Sequence, residues 1–133
     1  MNSLKHSIII VDDDADDRDS IREAFLENKY EHEYVFFGGA DELIVYLKDQ
    51  TRNNPSLILL DLNMPGMDGR EALKQIKGNN DFRHIPIVVL TTSSSHIDRR
   101  DSYALGANCF VTKPDTFNKL VDITDSIAKL WVA

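Results

Sequence analysis

The sequence predicts a doubly wound α/β fold with a five-stranded parallel sheet and five helices. Five short apolar runs recur along the chain, and the stretches between them place apolar residues at helical spacing. No low-complexity linker interrupts this pattern, so residues 1–133 are expected to form a single domain. Strands that alternate with helices pair in parallel through right-handed crossovers, which places helices on both faces of the sheet.

The five apolar runs are the predicted strands. Four of them are nearly continuous in branched or aromatic apolar residues, as is typical of strands covered on both faces. The second run is more mixed and is expected at an edge of the sheet. In chain order the runs are SIIIV (7–11), EYVFF (33–37), SLILL (56–60), IPIVVL (85–90) and NCFVT (108–112).

The stretches between the runs predict the helices. The fourth, at about residues 96–105, is more polar than the others and ends before Gly106, and Gly78-Asn79 ends the third. The last helix carries an apolar stripe, most of which we expect to pack on the sheet rather than to bind a partner. The apolar positions are Ile21, Ala24 and Phe25 in the first helix, Leu43 and Leu47 in the second, Leu73 and Ile76, with Lys77 beside them, in the third, and Phe117, Leu120, Val121, Thr124, Ile127, Ala128 and Trp131 in the last.

Composition excludes several classes of protein. Fifteen basic and 22 acidic residues give a net charge of -7, which argues against direct binding of nucleic acid, because such binding needs a basic surface. No apolar run is long enough to span a membrane, and the short N-terminal run lacks the features of a signal peptide. We therefore expect a cytoplasmic protein without membrane contact.

The cysteine and histidine residues suggest no metal or redox chemistry. Cys109 is the single cysteine and lies in an apolar run, so it is expected to be a small buried hydrophobe. The four histidines lack metal-site spacing and are expected to be solvated surface residues. They are His6, His32, His84 and His96.

Polar residues follow the ends of four predicted strands, where open parallel sheets bind their ligands. These residues are Asp12-Asp13-Asp14, Asp61, Thr91-Thr92 and Lys113-Pro114. An acidic helix start explains Asp14, Asp16 and Asp17, but it explains less well why Asp12 and Asp13 should face Asp61. Asp61 by itself could be a helix cap, a turn former, a metal ligand or a nucleophile.

Three converging carboxylates repel one another unless positive charge lies among them. Lys113 is one candidate for that charge, and a hard divalent cation such as Mg²⁺ is the other. A hydroxyl at Thr91 and the ammonium group of Lys113 suit the remaining oxygens of a phosphoryl group. The pattern therefore predicts a phosphoryl site built around one carboxylate.

These residues resemble the response regulator receiver domain, typified by the chemotaxis protein CheY. The resemblance covers nearly the whole chain and rests on Asp12-Asp13, on Asp61 in LLDLNMPGMDG, on Thr91 in VVLTTSSS and on Lys113-Pro114 in FVTKP. It implies a flavodoxin-like sheet with strand order 2-1-3-4-5. It also implies a signalling phosphoacceptor rather than an enzyme, one that assists its own phosphorylation and dephosphorylation.

The resemblance assigns a role to each matching residue. Asp61 accepts the phosphoryl group from a phosphohistidine. The implied Mg²⁺ ligands are Asp13 and Asp61 directly, Asp12 through water and Asn63 through its backbone carbonyl. Thr91 and Lys113 contact the phosphoryl oxygens, and Phe110 stands where the family carries a switching aromatic residue that works with Thr91.

The residues around this site have plainer expected roles. Asp68 is expected to cap the helix that begins near Arg70, and Gly69 to serve a turn or a close approach of the chain. Ser93-Ser94-Ser95 is interpreted as a polar loop without a specific role. Thr92 replaces a small residue of the family pattern, so access to Asp61 is expected to be narrower.

Two other functions remain as alternatives. A phosphatase of the haloacid dehalogenase type also uses a nucleophilic aspartate, but it needs a second aspartate two positions later for proton transfer, where this chain has Asn63. An unphosphorylated receiver-like interaction module is the second alternative, and the complete acidic site argues against it.

The resemblance implies protein partners. The phosphodonor would be a sensor histidine kinase or a histidine phosphotransfer protein, and the output would pass to a downstream protein target or through a phosphorylation-dependent homodimer. No DNA-binding domain is expected, because the sequence stops at Ala133, soon after the last helix. The segment IPIVVLTTS and the terminal tryptophan also resemble stand-alone receivers that partner phytochrome-like or hybrid sensor kinases.

Overall fold

The structure, a computed structural model, describes residues 5–49 and 51–133. Within these residues five strands alternate strictly with five helices, as the sequence predicts. The strands are β1 (Ser7–Val11), β2 (Glu33–Phe37), β3 (Leu57–Leu60), β4 (Ile87–Thr91) and β5 (Cys109–Thr112). The helices are α1 (Ala15–Glu27), α2 (Ala40–Lys48), α3 (Gly69–Lys77), α4 (His96–Ala104) and α5 (Phe117–Trp131).

The strands form one parallel sheet in the order β2-β1-β3-β4-β5, which confirms the predicted fold class and strand order. EYVFF forms an edge strand, as expected. NCFVT forms β5, the opposite edge strand, and its two faces are covered unequally: Phe110 is buried in the cluster under α2 and α3, whereas the other face packs only partly against the cluster under α1 and α5. Accordingly Cys109 and Val111 are only half-buried and Thr112 is exposed.

Two apolar clusters cover the two faces of the sheet. In β1, Ile9 and Val11 point to the cluster under α2 and α3, whereas Ile8 and Ile10 point to the cluster under α1 and α5. This alternation follows from the two-residue period of a strand, and it requires apolar residues at every position of a central strand. The predicted stripe of α5 is mostly core, with Leu120, Thr124, Ile127 and Ala128 buried, although Phe117 is 45% exposed.

Side-chain caps fix where the helices begin. Asp14 accepts hydrogen bonds from the backbone N–H groups of Asp16 and Asp17 at the start of α1. Asp68 accepts one from Arg70 at the start of α3, so the predicted cap is confirmed. Ser95 caps α4 through the N–H of Asp98, so this serine is more than loop polarity.

Two of the four histidines are not solvated surface residues. His6 and His32 lie just before β1 and β2, and parallel pairing of those strands brings the two rings to a centroid separation of 5.0 Å. The backbone N–H of His6 donates to His32 Nδ1, and His32 Nε2 lies 3.1 Å from the carbonyl of Val132. Burial lowers the pKa of His32 below its ordinary value.

Helix α4 is attached less firmly than the other helices. Its one buried residue is Ser102, whose hydroxyl has no hydrogen-bond partner among the described residues. Its larger apolar side chains remain exposed, with Ile97 60% and Tyr103 42% exposed. Little apolar area therefore holds α4 against the sheet.

No helix within the described ranges, 5–49 and 51–133, has the length and apolar character needed to cross a membrane.

Gly69 is buried where α3 begins beside the backbone of Asp61. A Cβ atom at this position would collide with the carbonyl oxygen of Asp61 and would lie 2.8 Å from Leu62 Cα. Because both neighbours are backbone, the chain could relieve the collision only by displacing the loop that carries Asp61. The close approach explains the glycine.

We predict that Gly69→Ala lowers the free energy of unfolding by about 1 to 3 kcal/mol, the usual cost of overpacking. Gly38→Ala is the matched control, because the nearest atom to an added Cβ there is Arg18 Nη1 at 3.5 Å. Urea unfolding of both variants measures the difference. Equal stability of the two variants would contradict the proposed backbone contact.

Candidate functional site

The sheet register brings two acidic residues side by side. Val11 pairs with Leu60, so Asp12 and Asp61, the next residues of β1 and β3, leave the sheet as neighbours. The N–H of Asp61 still donates to the carbonyl of Val11 at 3.0 Å. Both residues are buried, with exposures of 2% for Asp12 and 7% for Asp61. Adjacent strands thus force two carboxylates into one desolvated edge of the sheet.

Asp13 completes a cluster of three carboxylates. Asp12, Asp13 and Asp61 can each offer one oxygen such that these oxygens lie within 4.8 Å of one another. Asp13 is exposed, whereas the other two are buried. An all-oxygen set of this kind, open to solvent on one side, fits a hard divalent cation that keeps several waters.

Lys113, which follows β5, reaches across the sheet edge to this cluster. Its ammonium group donates to Asp12 Oδ2 at 2.6 Å and lies 3.6 Å from Asp61 Oδ2. Burial alone would lower the pKa of Lys113, but its hydrogen bonds to Asp12 and Asp17 outweigh burial and raise the pKa above its ordinary value. The ammonium group therefore stays charged and offsets part of the carboxylate charge.

The oxygens of Asp12 are already committed to protein donors. Oδ1 accepts the N–H of Asp14 at 2.9 Å, and Oδ2 accepts the ammonium of Lys113. Burial nevertheless raises the pKa of Asp12, since these two hydrogen bonds offset desolvation only in part. Among the described residues, no side chain or backbone group is hydrogen-bonded to the carboxylate of Asp13. Asp13 and Asp61 are thus freer than Asp12 to bind a cation directly.

Two residues of α1 that contact the site were not predicted from the sequence. Asp17, interpreted as a helix-start acid, accepts a hydrogen bond from the Lys113 ammonium at 2.8 Å. Arg18 donates from Nη1 to the backbone carbonyl of Asp12 at 2.6 Å. Their place in the first turn of α1 puts both near the end of β1, but the contacts themselves depend on side-chain rotamers, which the sequence does not show.

Thr91 lies at the end of β4, fully buried, and its carbonyl accepts the N–H of Lys113 at 2.6 Å. Its hydroxyl oxygen is 3.5 Å from the N–H of Ser93, a long hydrogen bond. Thr92, by contrast, is exposed. The structure therefore places Thr91 at the same sheet edge as the acidic cluster.

A polar network continues from this loop to two helices. Ser93 Oγ donates to Asp98 Oδ2 at 2.6 Å, and Arg70 Nη2 donates to Asp98 Oδ1 at 2.8 Å. The hydroxyl of Thr112 donates to the carbonyl of Ser93 at 2.9 Å. The interpretation of Ser93 as mere loop polarity is wrong, because Ser93 links the start of α3, the start of α4 and the end of β5.

The remaining predicted residues lie on either side of this cluster. Asn63 is exposed, and its N–H lies 3.4 Å from Asp61 Oδ1. Phe110 is 5% exposed and belongs to the cluster under α2 and α3. The backbone N–H of Phe110 donates to the hydroxyl of Tyr103 at 3.1 Å, which ties β5 to α4. Cys109 is only half-buried, which corrects the expectation of a fully buried thiol.

Comparison with known proteins identifies the family to which this chain is similar. Residues 8–125 match the family described as the response regulator receiver domain. The chain is similar to the response regulator Rcp1 of Synechocystis sp., with 36% identity over 129 residues that cover 94% of this chain and 88% of that protein.

Two solved structures extend the comparison. The phosphorylated cyanobacterial phytochrome response regulator RcpA is 36% identical with a TM-score of 0.90, and the match covers 98% of this chain and 96% of that one. The Mn²⁺-bound form of response regulator Rcp1 is 34% identical with a TM-score of 0.84, covering 93% of this chain and 92% of that one.

Proposed function

This chain belongs to the response regulator receiver family of two-component signalling, and we propose that Asp61 is its phosphoacceptor, supplied by a sensor histidine kinase. The single observation that carries the proposal is the setting of the Asp61 carboxylate. It is nearly buried, lies beside Asp12 and Asp13, and has the Lys113 ammonium 3.6 Å away. In this proposal residues 1–133 act as one receiver domain in the cytoplasm, without direct contact to nucleic acid or membrane.

The chemistry is a phosphoryl transfer between two protein side chains. An Asp61 oxygen attacks phosphorus, the P–N bond of the phosphohistidine breaks, and its electron pair returns to the imidazole nitrogen. Lys113 donates a hydrogen bond to one phosphoryl oxygen, and the Thr91 hydroxyl donates to another. Proximity to these donors lets the domain assist its own phosphorylation and, with water as the acceptor, its own dephosphorylation.

A divalent cation, which we propose is Mg²⁺, would be held by Asp13 and Asp61, by Asp12 through water and by the carbonyl of Asn63. When bound, it supplies positive charge that stabilises the phosphoryl oxygens during transfer. The response regulator Rcp1 has been solved in an Mn²⁺-bound form, and Mn²⁺ shares the preference of Mg²⁺ for oxygen ligands, which supports a divalent site here.

The alternative of a dehalogenase-type phosphatase is disfavoured by residue 63. Asn63 is exposed near Asp61, but a carboxamide cannot transfer a proton to or from an attacking water. Slow hydrolysis leaves the phosphoaspartate available as a signal. The alternative of an unphosphorylated interaction module is disfavoured by the complete set of Asp12, Asp13, Thr91 and Lys113 around Asp61.

We propose that the donor kinase is of the phytochrome-like or hybrid type, or that a histidine phosphotransfer protein relays the group. The solved relative RcpA is a phytochrome response regulator, which supports this choice. The output would pass to a downstream protein target, with a phosphorylation-dependent homodimer as the other route.

We predict that acetyl phosphate and MgCl₂ add one phosphoryl group to the protein, at Asp61, as an acyl phosphate that hydroxylamine removes. Intact-protein mass spectrometry measures the adduct. Asp61→Asn should abolish it, because a carboxamide is not a nucleophile here. Asp68→Asn is the matched control and should label like the wild type, since Asp68 lies in the same loop but caps α3. Stoichiometric label on a serine or threonine of the Asp61→Asn variant would refute the assignment.

We also predict that Asp13→Asn weakens Mg²⁺ binding at least about tenfold, equivalent to about 1.4 kcal/mol, because a direct ligand is lost. Calorimetric titration with MgCl₂ measures the affinity, and phosphorylation should slow in parallel. Asp14→Asn is the control, because Asp14 serves as a cap. An unchanged titration curve for Asp13→Asn would show that this acid is only part of the helix start.

We propose that the signal leaves through the face formed by α4, β5 and α5. Thr91 moves toward the new phosphoryl oxygens, and the Phe110 ring then turns toward the space that Thr91 vacates. Two contacts would carry this movement to α4, namely the Ser93–Asp98 hydrogen bond and the bond from Phe110 N–H to Tyr103. The phosphoryl group favours the active arrangement only through contacts that differ between the two states.

We predict that beryllofluoride, a phosphoryl mimic, shifts backbone amide resonances of residues 91–113 as well as those next to Asp61. The amide of Phe110 should respond strongly, since its acceptor lies on α4. A tenfold change in population requires about 1.4 kcal/mol. Shifts confined to the immediate surroundings of Asp61, together with unchanged self-association, would exclude this switch.

A further inference from the structure

Asp17 holds the ammonium group of Lys113 from outside the three-carboxylate cluster. Lys113 Nζ donates to Asp17 Oδ2 at 2.8 Å and to Asp12 Oδ2 at 2.6 Å, whereas its distance to Asp61 Oδ2 is 3.6 Å. The two short contacts are charge-assisted hydrogen bonds, and the third is too long for a hydrogen bond. The ammonium group is thus bound by Asp12 and Asp17 rather than by Asp61.

We infer that Asp17 is a positioning residue that retains Lys113 and thereby slows phosphorylation of Asp61. This inference rests on the proposed function of Asp61. Asp17 does not touch the reacting atoms in this role, since it acts through Lys113. It sets how readily the ammonium group can turn toward a phosphoryl oxygen.

The physical reason is the position in which the ammonium group is held. An ammonium group has three N–H bonds, and two of them already serve Asp12 and Asp17. The third N–H remains available, but Asp61 Oδ2 lies 3.6 Å away, too far for a hydrogen bond, so Lys113 has to shift toward Asp61 to donate to an incoming phosphoryl group. The contact with Asp17 opposes that shift, and because the Asp17 side chain is 43% exposed, solvent moderates its strength.

The ordinary role of an acid in the first helical turn does not account for this contact. Asp14 already caps α1, and Asp16 offers the same charge to the helix dipole. Asp16 is exposed, and its carboxylate makes none of the ion pairs found among the described residues. Asp16 therefore shares the charge and the helical turn of Asp17 but not the contact with Lys113.

The test compares Asp17→Asn with Asp16→Asn, which remove equal charge from adjacent positions. We measure the initial rate of phosphorylation by acetyl phosphate at saturating MgCl₂. We expect Asp17→Asn to be phosphorylated about three- to tenfold faster than wild type, because one half-exposed charge-assisted hydrogen bond is lost. The rate of Asp16→Asn should stay within about twofold of wild type. The ¹⁵N resonance of the Lys113 ammonium should shift in Asp17→Asn alone.

Asp17→Glu serves as the conservative variant, because a carboxylate one methylene longer can still reach Lys113. It should return the rate toward the wild-type value and remains informative if Asp17→Asn folds poorly in urea unfolding. A folded Asp17→Asn variant that matches Asp16→Asn in both rate and ammonium resonance would overturn the inference. So would an Asp17→Asn variant slower than wild type. By contrast, an absence of label on wild-type Asp61 would refute the proposed function itself.

Discussion

The structure depends on placing three carboxylates together at the edge of a parallel sheet. The register of β1 and β3 makes Asp12 and Asp61 neighbours, and Asp13 follows directly. Two of these groups are buried, so their repulsion is screened only weakly by water. The Lys113 ammonium offsets part of this charge, and the remainder makes the site receptive to a cation.

Other features of the fold maintain this arrangement. Arg18 fixes the backbone carbonyl of Asp12, and the absence of a side chain at Gly69 lets α3 begin directly against the backbone of Asp61. The N–H of Lys113 is bound to the carbonyl of Thr91, so the ammonium and the hydroxyl come from adjacent strand ends. The site is therefore held by backbone contacts, while its side chains remain able to exchange partners.

The sequence predicts most of the fold and the core of the site, because both follow from strand periodicity and from the rule that parallel strands end at one edge. The positions of Asp12, Asp61 and Lys113 in the site can be predicted in this way. The contact between Asp17 and Lys113 cannot be predicted, because the helix dipole already explains an acid in the first turn and the contact depends on the rotamer of the long lysine side chain. The His6–His32 pair was missed although the predicted strand order makes β1 and β2 neighbours, because contact between the rings also depends on the register of the two strands and on side-chain rotamers.

The loose attachment of α4 has an evolutionary consequence. The sole buried residue of α4 is Ser102, whose hydroxyl has no hydrogen-bond partner among the residues that the structure describes. The helix therefore contributes little to the free energy of unfolding, and its outer positions can change without loss of the fold. Among the residues that the structure describes, none of the side-chain hydrogen bonds or ion pairs of Asp12, Asp61 and Lys113 involves α4. If α4 forms part of the output face, as we propose, its outer positions can change to bind different partner proteins while the acidic edge of the sheet stays the same.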